Sequence, residues 1–139
     1  LLVDGYNVIF AWEELKALST LNIDTAKDRL VSILSKYRSI SDYRVMVVFD
    51  GYRVKGSSGS TIHLEDVEII HTKEGVIADH YIENYTQKHG KELDILVVSS
   101  DSLIRQITSG HNCRVISSSE FQIRMEQELE TFRKQSGLQ

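Results

Sequence analysis

Five short apolar segments, separated by longer amphipathic ones, constrain the fold of this chain more than any other feature of its sequence. They cover residues 1–3, 45–49, 67–70, 95–98 and 115–116, and most are continuous runs of Val, Ile and Leu rather than alternating patterns. Continuous apolar runs of this length are typical of strands that are buried on both faces of a parallel sheet. The pattern therefore predicts a central five-stranded, mainly parallel sheet.

Between and after these strands, four segments carry apolar residues at helical spacing. The first begins near Asp24, the second covers residues 76–89, the third covers 102–108 and the last begins at Ser118. Their apolar faces would pack against the sheet. Strands that alternate with helices predict an α/β fold with three layers, α/β/α. We expect residues 1–139 to form a single domain.

Charge and cysteine content exclude several classes of protein. With 16 basic and 20 acidic residues, the chain has a formal net charge of −4, which argues against binding of nucleic acid by bulk positive charge. A single cysteine, Cys113, excludes an internal disulfide framework and a multi-cysteine zinc site, and suits a reducing cytoplasm. No apolar run approaches the roughly 18 residues that a membrane span needs, so we expect no membrane partner. Since the chain opens at Leu1 without a methionine, we expect a fragment of a longer protein.

Acidic residues follow three of the predicted strands directly. Asp4 follows the first strand, Asp50 the second, and Asp101 comes after the fourth strand and two serines. In a parallel sheet, the carboxyl ends of the strands share one edge, and ligands bind there. Asp79, near the start of the second predicted helix, would join the group if that helix begins at the same edge. A strand-end aspartate that only caps the next helix is the competing interpretation for each residue alone.

Grouped carboxylates need a cation. Two of them about 4 Å apart repel each other by roughly 4 kcal/mol at an effective dielectric constant near 20. Oxygen donors without a cysteine partner suit Mg²⁺ or Mn²⁺ better than zinc. Such ions lower the pKa of bound water and stabilise the transition state of phosphodiester cleavage. The sequence therefore predicts a metal-dependent phosphoryl or phosphodiester enzyme whose metal ligands are Asp4, Asp50, Asp79 and Asp101.

Other side chains near these acids have weaker signals. Asn7 is predicted to position water or a phosphate oxygen, although an Asx-turn or helix cap explains it as well. Arg53 and Lys55 are predicted to flank the acidic site in a basic loop, with Tyr52 able to stack on a base and Lys73 as a possible phosphate contact; a solvated surface loop is the alternative. We assign Phe10 and Trp12 to core or lid packing rather than to base stacking.

Several motifs, in order along the chain, resemble a known family. They are Leu2-Val3-Asp4-Gly5-Tyr6-Asn7-Val8-Ile9, then Val47-Val48-Phe49-Asp50-Gly51 with Val54-Lys55-Gly56, then Thr72-Lys73-Glu74-Gly75, Ala78-Asp79, Ile82-Glu83 and Ser100-Asp101. Together they resemble a YacP-type NYN domain of the PIN-like ribonuclease superfamily. The resemblance implies a sheet with strand order 3-2-1-4-5 and endoribonuclease activity that depends on Mg²⁺ or Mn²⁺. It also implies RNA as substrate, in some members mRNA at the ribosome, and fusion to a translation-factor domain.

By position in those motifs, the catalytic residues are expected to be Asp4, Asp79, Asp101 and Asn7. The family's second helix usually carries two further glutamates, which are replaced here by Val76 and His80. This departure leaves a second function open, a non-catalytic RNA- or ribosome-binding module with a degenerate nuclease site. A small-molecule phosphatase is a weaker third interpretation, because Asp4-Gly5-Tyr6 lacks the second acid of a D-x-D nucleophile motif.

Overall fold

A computed structural model describes residues 1–51, 55–56 and 58–137. Within them the strands are β1 (Leu2–Asp4), β2 (Val45–Phe49), β3 (Ser60–Leu64), β4 (Val67–His71), β5 (Ile95–Val98) and β6 (Cys113–Ile116). The helices are α1 (Gly5–Ala11), α2 (Glu13–Leu21), α3 (Ile23–Arg38), α4 (Ala78–His89), α5 (Ser102–Ile107) and α6 (Ser118–Gln135). None of these helices combines the length and apolar character needed to cross a membrane.

All six described strands form one sheet in the order β3-β4-β2-β1-β5-β6. The neighbouring pairs β4–β2, β2–β1, β1–β5 and β5–β6 are parallel. Counted along the chain, these five strands have the expected order 3-2-1-4-5, so the predicted PIN-like parallel sheet is confirmed. Strand β1 lies at its centre, between β2 and β5.

The strand count differs from the prediction by one, because β3 adds an antiparallel edge to β4. All five residues of β3 are exposed, so its sequence lacks the continuous apolar pattern of the other strands. The turn that joins β3 to β4 places Glu65 at φ 51° and Asp66 at φ 66°. Hairpin turns with positive φ usually contain Asn-Gly or Asp-Gly, and Glu-Asp does not give that signal.

Two helices at the start of the chain were not predicted, and the others begin or end close to the expected positions. Helices α1 and α2 follow β1 directly and are separated by Trp12 alone. Helix α3 is capped by Asn22, whose side chain accepts hydrogen bonds from the backbone N–H groups of Asp24 and Thr25. The predicted start of this helix, Asp24, therefore lies two residues after Asn22, the residue that caps it.

Apolar clusters fill both sides of the sheet and confirm the three layers. The larger cluster joins β1 and β2 to α1, α3 and α6, and the smaller one joins the opposite face to α4 and α5. Trp12 lies in the larger cluster with 1% exposure. Its indole Nε1 donates to the backbone oxygen of Ser118 at 2.8 Å, and its ring centroid lies 6.3 Å from that of Phe121. Trp12 therefore fastens the first helices to the start of α6.

We predict that Trp12→Phe lowers the free energy of unfolding by about 1–3 kcal/mol, because it removes a buried hydrogen bond and part of a packed ring. Urea denaturation followed by circular dichroism measures the change. Leu21→Ala is the matched control, since Leu21 is 85% exposed and its truncation should change stability by less than about 0.5 kcal/mol. Equal effects of the two substitutions would contradict this role of Trp12.

Candidate active site

Four aspartates line one cleft at the carboxyl edge of the parallel strands. Asp4 ends β1, Asp50 follows β2, Asp101 follows β5, and Asp79 lies in the first turn of α4. The described residues that line the cleft with them are Tyr6, Asn7, Phe10, Ala11, Ala78 and Ser100. The structure thus brings together the four acids that the strand-end pattern singled out.

Asp4 is the most enclosed of the four acids, with 8% exposure. Burial raises the pKa of its carboxyl group to about 6, and repulsion from Asp79 and Asp101 adds to that rise. A hydrogen bond from Ser99 Oγ to Asp4 Oδ2, at 3.0 Å, acts in the opposite direction and lowers the pKa, as does the backbone amide of Asn7. The pKa of the Asp4 carboxyl group therefore lies well above its ordinary value of 3.8.

Asp79 is also affected by its acidic neighbours. Partial burial raises the pKa of Asp79, and repulsion from Asp101 and Asp50 raises it further, while His80 lowers it. Since Asp101 acts on both Asp4 and Asp79, the carboxylates of the cleft form one electrostatic unit. A positive charge placed among them would be stabilised by all of them at once.

Ser99 connects two of these acids, and its place before Asp101 in the sequence pointed to hydrogen bonds with the site or with the following helix. Its buried hydroxyl donates to Asp4 and accepts from the backbone N–H of Asp101 at 3.1 Å. Asp101 in turn accepts from the backbone N–H of Leu103 with Oδ1 at 2.9 Å, so one of its oxygens caps α5. The capping interpretation therefore accounts for one oxygen of Asp101. The signal for Ser99 was its position between strand and acid in Ser99-Ser100-Asp101.

Asn7 joins three separate segments of the chain through one oxygen. Its Oδ1 accepts from the backbone N–H of Ser100 and from the Oγ of Ser118, both at 2.8 Å. These two bonds occupy the oxygen, so a contact with phosphate would have to come from the amide Nδ2. The role of Asn7 toward substrate stays a prediction, and its structural role is visible directly.

Asp4 and Asp50 are each followed by a glycine, and close packing leaves no room for a side chain at either glycine. A β-carbon on Gly5 would lie 2.4 Å from Cε1 of Phe49, and one on Gly51 would lie 2.1 Å from the backbone oxygen of Thr72. The N–H of Gly51 also donates to Thr72 Oγ1 at 2.7 Å. These contacts hold the backbone beside Asp4 and Asp50 against its neighbours.

Of the predicted basic residues, Lys55 and Lys73 are exposed and do not line the cleft. Tyr52 and Arg53 lie outside the described residues. A different cation, Lys27 of α3, lies near Tyr6. Its Nζ is 2.9 Å from His71 Nε2, 4.6 Å from the Phe49 ring centroid and 5.9 Å from the Tyr6 ring centroid. Nothing in the local sequence separates Lys27 from any other lysine on a helix.

The two aromatic residues assigned to packing have different environments. Trp12 is buried in the core, but Phe10 is 54% exposed and lines the acidic cleft, so of the two expected roles, core or lid packing, the core role does not apply to Phe10. The reason lies in the position of α1, whose Val8 and Ile9 face the core while Phe10 faces the cleft. Without a predicted helix over these residues, the two directions could not be separated.

The donor chemistry of the cleft fits a divalent cation such as Mg²⁺ or Mn²⁺, because all four acids offer carboxylate oxygens. Among residues 1–51, 55–56 and 58–137, no three His, Cys, Asp or Glu side chains lie close enough together to hold a metal ion. The charge of the cleft therefore favours a cation, while the present spacing of the side chains does not make a closed set of ligands.

Comparisons with known proteins identify the family of this chain. The sequence model of the YacP-like NYN domain family matches residues 1–138. The protein YacP of Bacillus subtilis (strain 168), described as uncharacterized, is 46% identical over 88 residues, which are 63% of this chain and 51% of that protein. The chain thus spans about half the length of this curated relative.

Two crystal structures of Rae1 (YacP) from Bacillus subtilis have the same fold as this chain. One is superimposable with a TM-score of 0.78 and 34% identity, over 97% of this chain and 78% of that chain. The other, of a tryptophan-to-leucine variant, gives a TM-score of 0.79 and 31% identity, over 96% of this chain and 77% of that chain.

The raised pKa of Asp4 predicts a stability that depends on pH. Because the folded-state pKa is about 6 and the ordinary value is 3.8, ionised Asp4 destabilises the fold above pH 6, and this penalty disappears as the pH falls toward 4. In EDTA, Asp4→Asn should therefore raise the free energy of unfolding by about 1–3 kcal/mol at pH 8 and by much less near pH 4.

Urea denaturation over this pH range tests the prediction. Asp66→Asn is the matched control, because Asp66 is exposed in the β3–β4 turn and its substitution should leave the pH dependence unchanged. A gain in stability from Asp4→Asn that increases as the pH falls would have the opposite sign and would reject the prediction.

For Asn7, we predict that substitution by alanine lowers the free energy of unfolding by about 1–3 kcal/mol, because the buried Ser118 hydroxyl and the Ser100 N–H lose their acceptor. A double-mutant cycle with Ser118→Ala measures the coupling. The double variant should be less destabilised than the sum of the two single variants. Simple additivity would show that the Asn7–Ser118 bond contributes nothing.

Proposed function

This chain belongs to the YacP-like NYN domain family, a branch of the PIN-like nucleases, and we propose that it is a divalent-metal-dependent endoribonuclease. The observation that carries the proposal is the cleft lined by four aspartates from three strand ends and one helix. In that cleft, repulsion among the carboxylates contributes to the raised pKa of Asp4 and Asp79. A bound cation would stabilise this group of carboxylates by offsetting their mutual repulsion.

Asp4, Asp79 and Asp101 are the proposed metal ligands, with Asp50 as a further ligand or as support for the others. A Mg²⁺ or Mn²⁺ ion bound there would stabilise negative charge on a scissile phosphate and lower the pKa of an attacking water. Ser99 supports the site by orienting the carboxylate of Asp4. Hydrogen bonds from such neighbours are known to tune ligand orientation and metal affinity.

Substrate contacts are proposed for residues around the cleft. The amide Nδ2 of Asn7 is placed to donate to a phosphate oxygen, since its Oδ1 already accepts two hydrogen bonds. Lys55 and Lys73 are exposed in the segments that follow β2 and β4, which end at the same sheet edge. They would contact phosphates on either side of the scissile bond, together with Arg53.

RNA presented by a larger partner is the proposed substrate, with mRNA on or near the ribosome as the preferred case. Among the described residues that line the cleft, none is basic, and the whole chain has a net charge of −4. Tight binding of free RNA normally relies on clustered positive charge. A partner such as the ribosome or a fused translation-factor domain, in a cytoplasmic setting, would supply the missing affinity.

A non-catalytic RNA- or ribosome-binding module is the second candidate. Val76 and His80 occupy the positions where related domains are expected to carry glutamates, and neither lines the cleft. With no three acidic side chains close enough for a metal within the described part of the chain, a loss of catalysis has a specific basis.

We expect the purified protein to cleave labelled RNA, free or on ribosomes, in Mn²⁺ or Mg²⁺ and not in EDTA. Asp79→Asn and Asp101→Asn should reduce the rate by at least about 100-fold, because each removes a negative charge that stabilises the cation. Asp66→Asn makes the same chemical change at an exposed turn and should cleave like the wild type. Gel electrophoresis of end-labelled RNA gives the rates.

Metal binding is measured separately, from the rise in melting temperature on addition of Mn²⁺. A rise in the wild type and in Asp66→Asn, but not in Asp79→Asn, would support the site even if the right RNA had not been supplied. Equal cleavage by Asp79→Asn and the wild type would reject the assignment. RNA binding that persists in EDTA, without cleavage or metal-induced stabilisation, would favour the binding module.

A further inference from the structure

We propose that Phe10 and Tyr6 form a stacking platform for one unpaired nucleobase, and that this platform selects single-stranded RNA at the acidic cleft. The proposal rests on the proposed function in taking RNA as the ligand. It goes further by naming the structural state of the RNA and the residue that recognises it. The platform is defined by the rings of Phe10 and Tyr6 on α1.

The position of Phe10 carries the first step. Its side chain is 54% exposed although it is large and apolar, and it borders the same cleft as Asp4 and Asp101. An aromatic ring open to solvent beside a group of carboxylates does not stabilise the core. Flat π faces of this kind bind nucleobases irrespective of their sequence.

The second step is the geometry of the two rings. Tyr6 and Phe10 are four residues apart on α1, so they lie on the same side of the helix. Their planes are inclined by 24°, with ring centroids 6.4 Å apart. Phe49 contacts Tyr6 edge-on, at 5.2 Å and 62°, and the ammonium group of Lys27 lies 5.9 Å from the Tyr6 centroid. Tyr6 is thus held by contacts with Phe49 and Lys27, and Phe10 is the more exposed of the two rings.

The third step is the rigidity of α1. Val8 and Ile9 are fully buried in the core, and Asn7 is hydrogen-bonded to Ser100 and Ser118. Phe10 is therefore carried by a helix that is fixed on its other side. A base that stacks on it meets a surface that is already ordered, so little conformational entropy is lost on binding.

The last step is the match to one kind of ligand. A phosphodiester held at the aspartates through a cation carries a base on each adjoining nucleotide, and Phe10 presents an exposed aromatic ring beside these acids. In a duplex both faces of a base are already covered by neighbouring bases, so the base cannot stack on Phe10. An unpaired nucleotide can turn its base onto the ring.

Affinity measurements with Ca²⁺ in place of Mg²⁺ or Mn²⁺ test the platform, because this cation also takes carboxylate oxygens and offsets the repulsion between the four aspartates and the RNA. Gel electrophoresis confirms that the RNA stays intact during the measurement. The probe is a short unstructured RNA with a fluorescent end label, compared with versions that carry one abasic nucleotide and with the same sequence as a duplex. We expect Phe10→Ala to weaken binding of the unstructured RNA by about 5- to 150-fold and Phe10→Trp to retain it. Binding of the duplex should be the same for all variants.

The decisive result is a double-mutant cycle between protein and RNA. At one nucleotide, loss of the base should weaken binding to the wild type by about the same factor as Phe10→Ala, and should weaken binding to Phe10→Ala no further. Ile123→Ala is the control, since Ile123 is a 57% exposed apolar residue of α6 outside the cleft lining.

Unchanged RNA affinity of Phe10→Ala, or equal effects of every abasic nucleotide on both proteins, would overturn the platform and point to a protein partner for the exposed ring. Because these measurements require no cleavage, they separate the platform from the nuclease. A protein that shows the cycle but never cleaves keeps the platform and loses the enzymatic assignment. A metal-dependent nuclease whose RNA affinity does not depend on Phe10 would keep the enzymatic assignment and lose the platform.

Discussion

The burial of one carboxylate at the end of the central strand governs how this structure is arranged. Asp4 ends β1, which lies between β2 and β5, and helix α1 begins at the next residue. A group with 8% exposure must be hydrogen-bonded or neutralised. Ser99, at the end of β5, meets part of that requirement, and Gly5 lets the chain turn against Phe49. The other acids reach the same cleft because the strands are parallel, and their repulsion of Asp4 is what a bound cation would offset.

Much of this arrangement was predictable because it depends on short-range patterns. Strands buried on both faces show as continuous apolar runs, and the predicted boundaries of β2 and β5 agree with the observed ones. Once the strands are parallel, the residue after each strand lies at a known edge. The convergence of Asp4, Asp50 and Asp101 follows from that topology, without any knowledge of how their side chains are turned.

What was missed depends on contacts between distant residues or on weak local signals. Strand β3 is exposed throughout and is defined by its pairing with β4. Helix α1 is only 7 residues long and is ordered by packing of Val8 and Ile9, so its helical pattern is too short to recognise. The exposure of Phe10 follows from that missing helix. Lys27 lies on a different helix from Tyr6, and the contact between them cannot be predicted from their spacing in the sequence.

Ser118 shows how firmly the cleft is joined to the rest of the molecule. Its N–H donates to Ser100 Oγ, its hydroxyl donates to Asn7, and its carbonyl accepts from the indole of Trp12. The first turn of α6 is thereby bonded to α1, to the segment after β5 and to the residue between α1 and α2. The start of the 18-residue α6 is therefore bonded directly to Asn7 and Ser100, two residues that line the cleft, so a partner that shifted α6 would act on the cleft lining without an intervening loop.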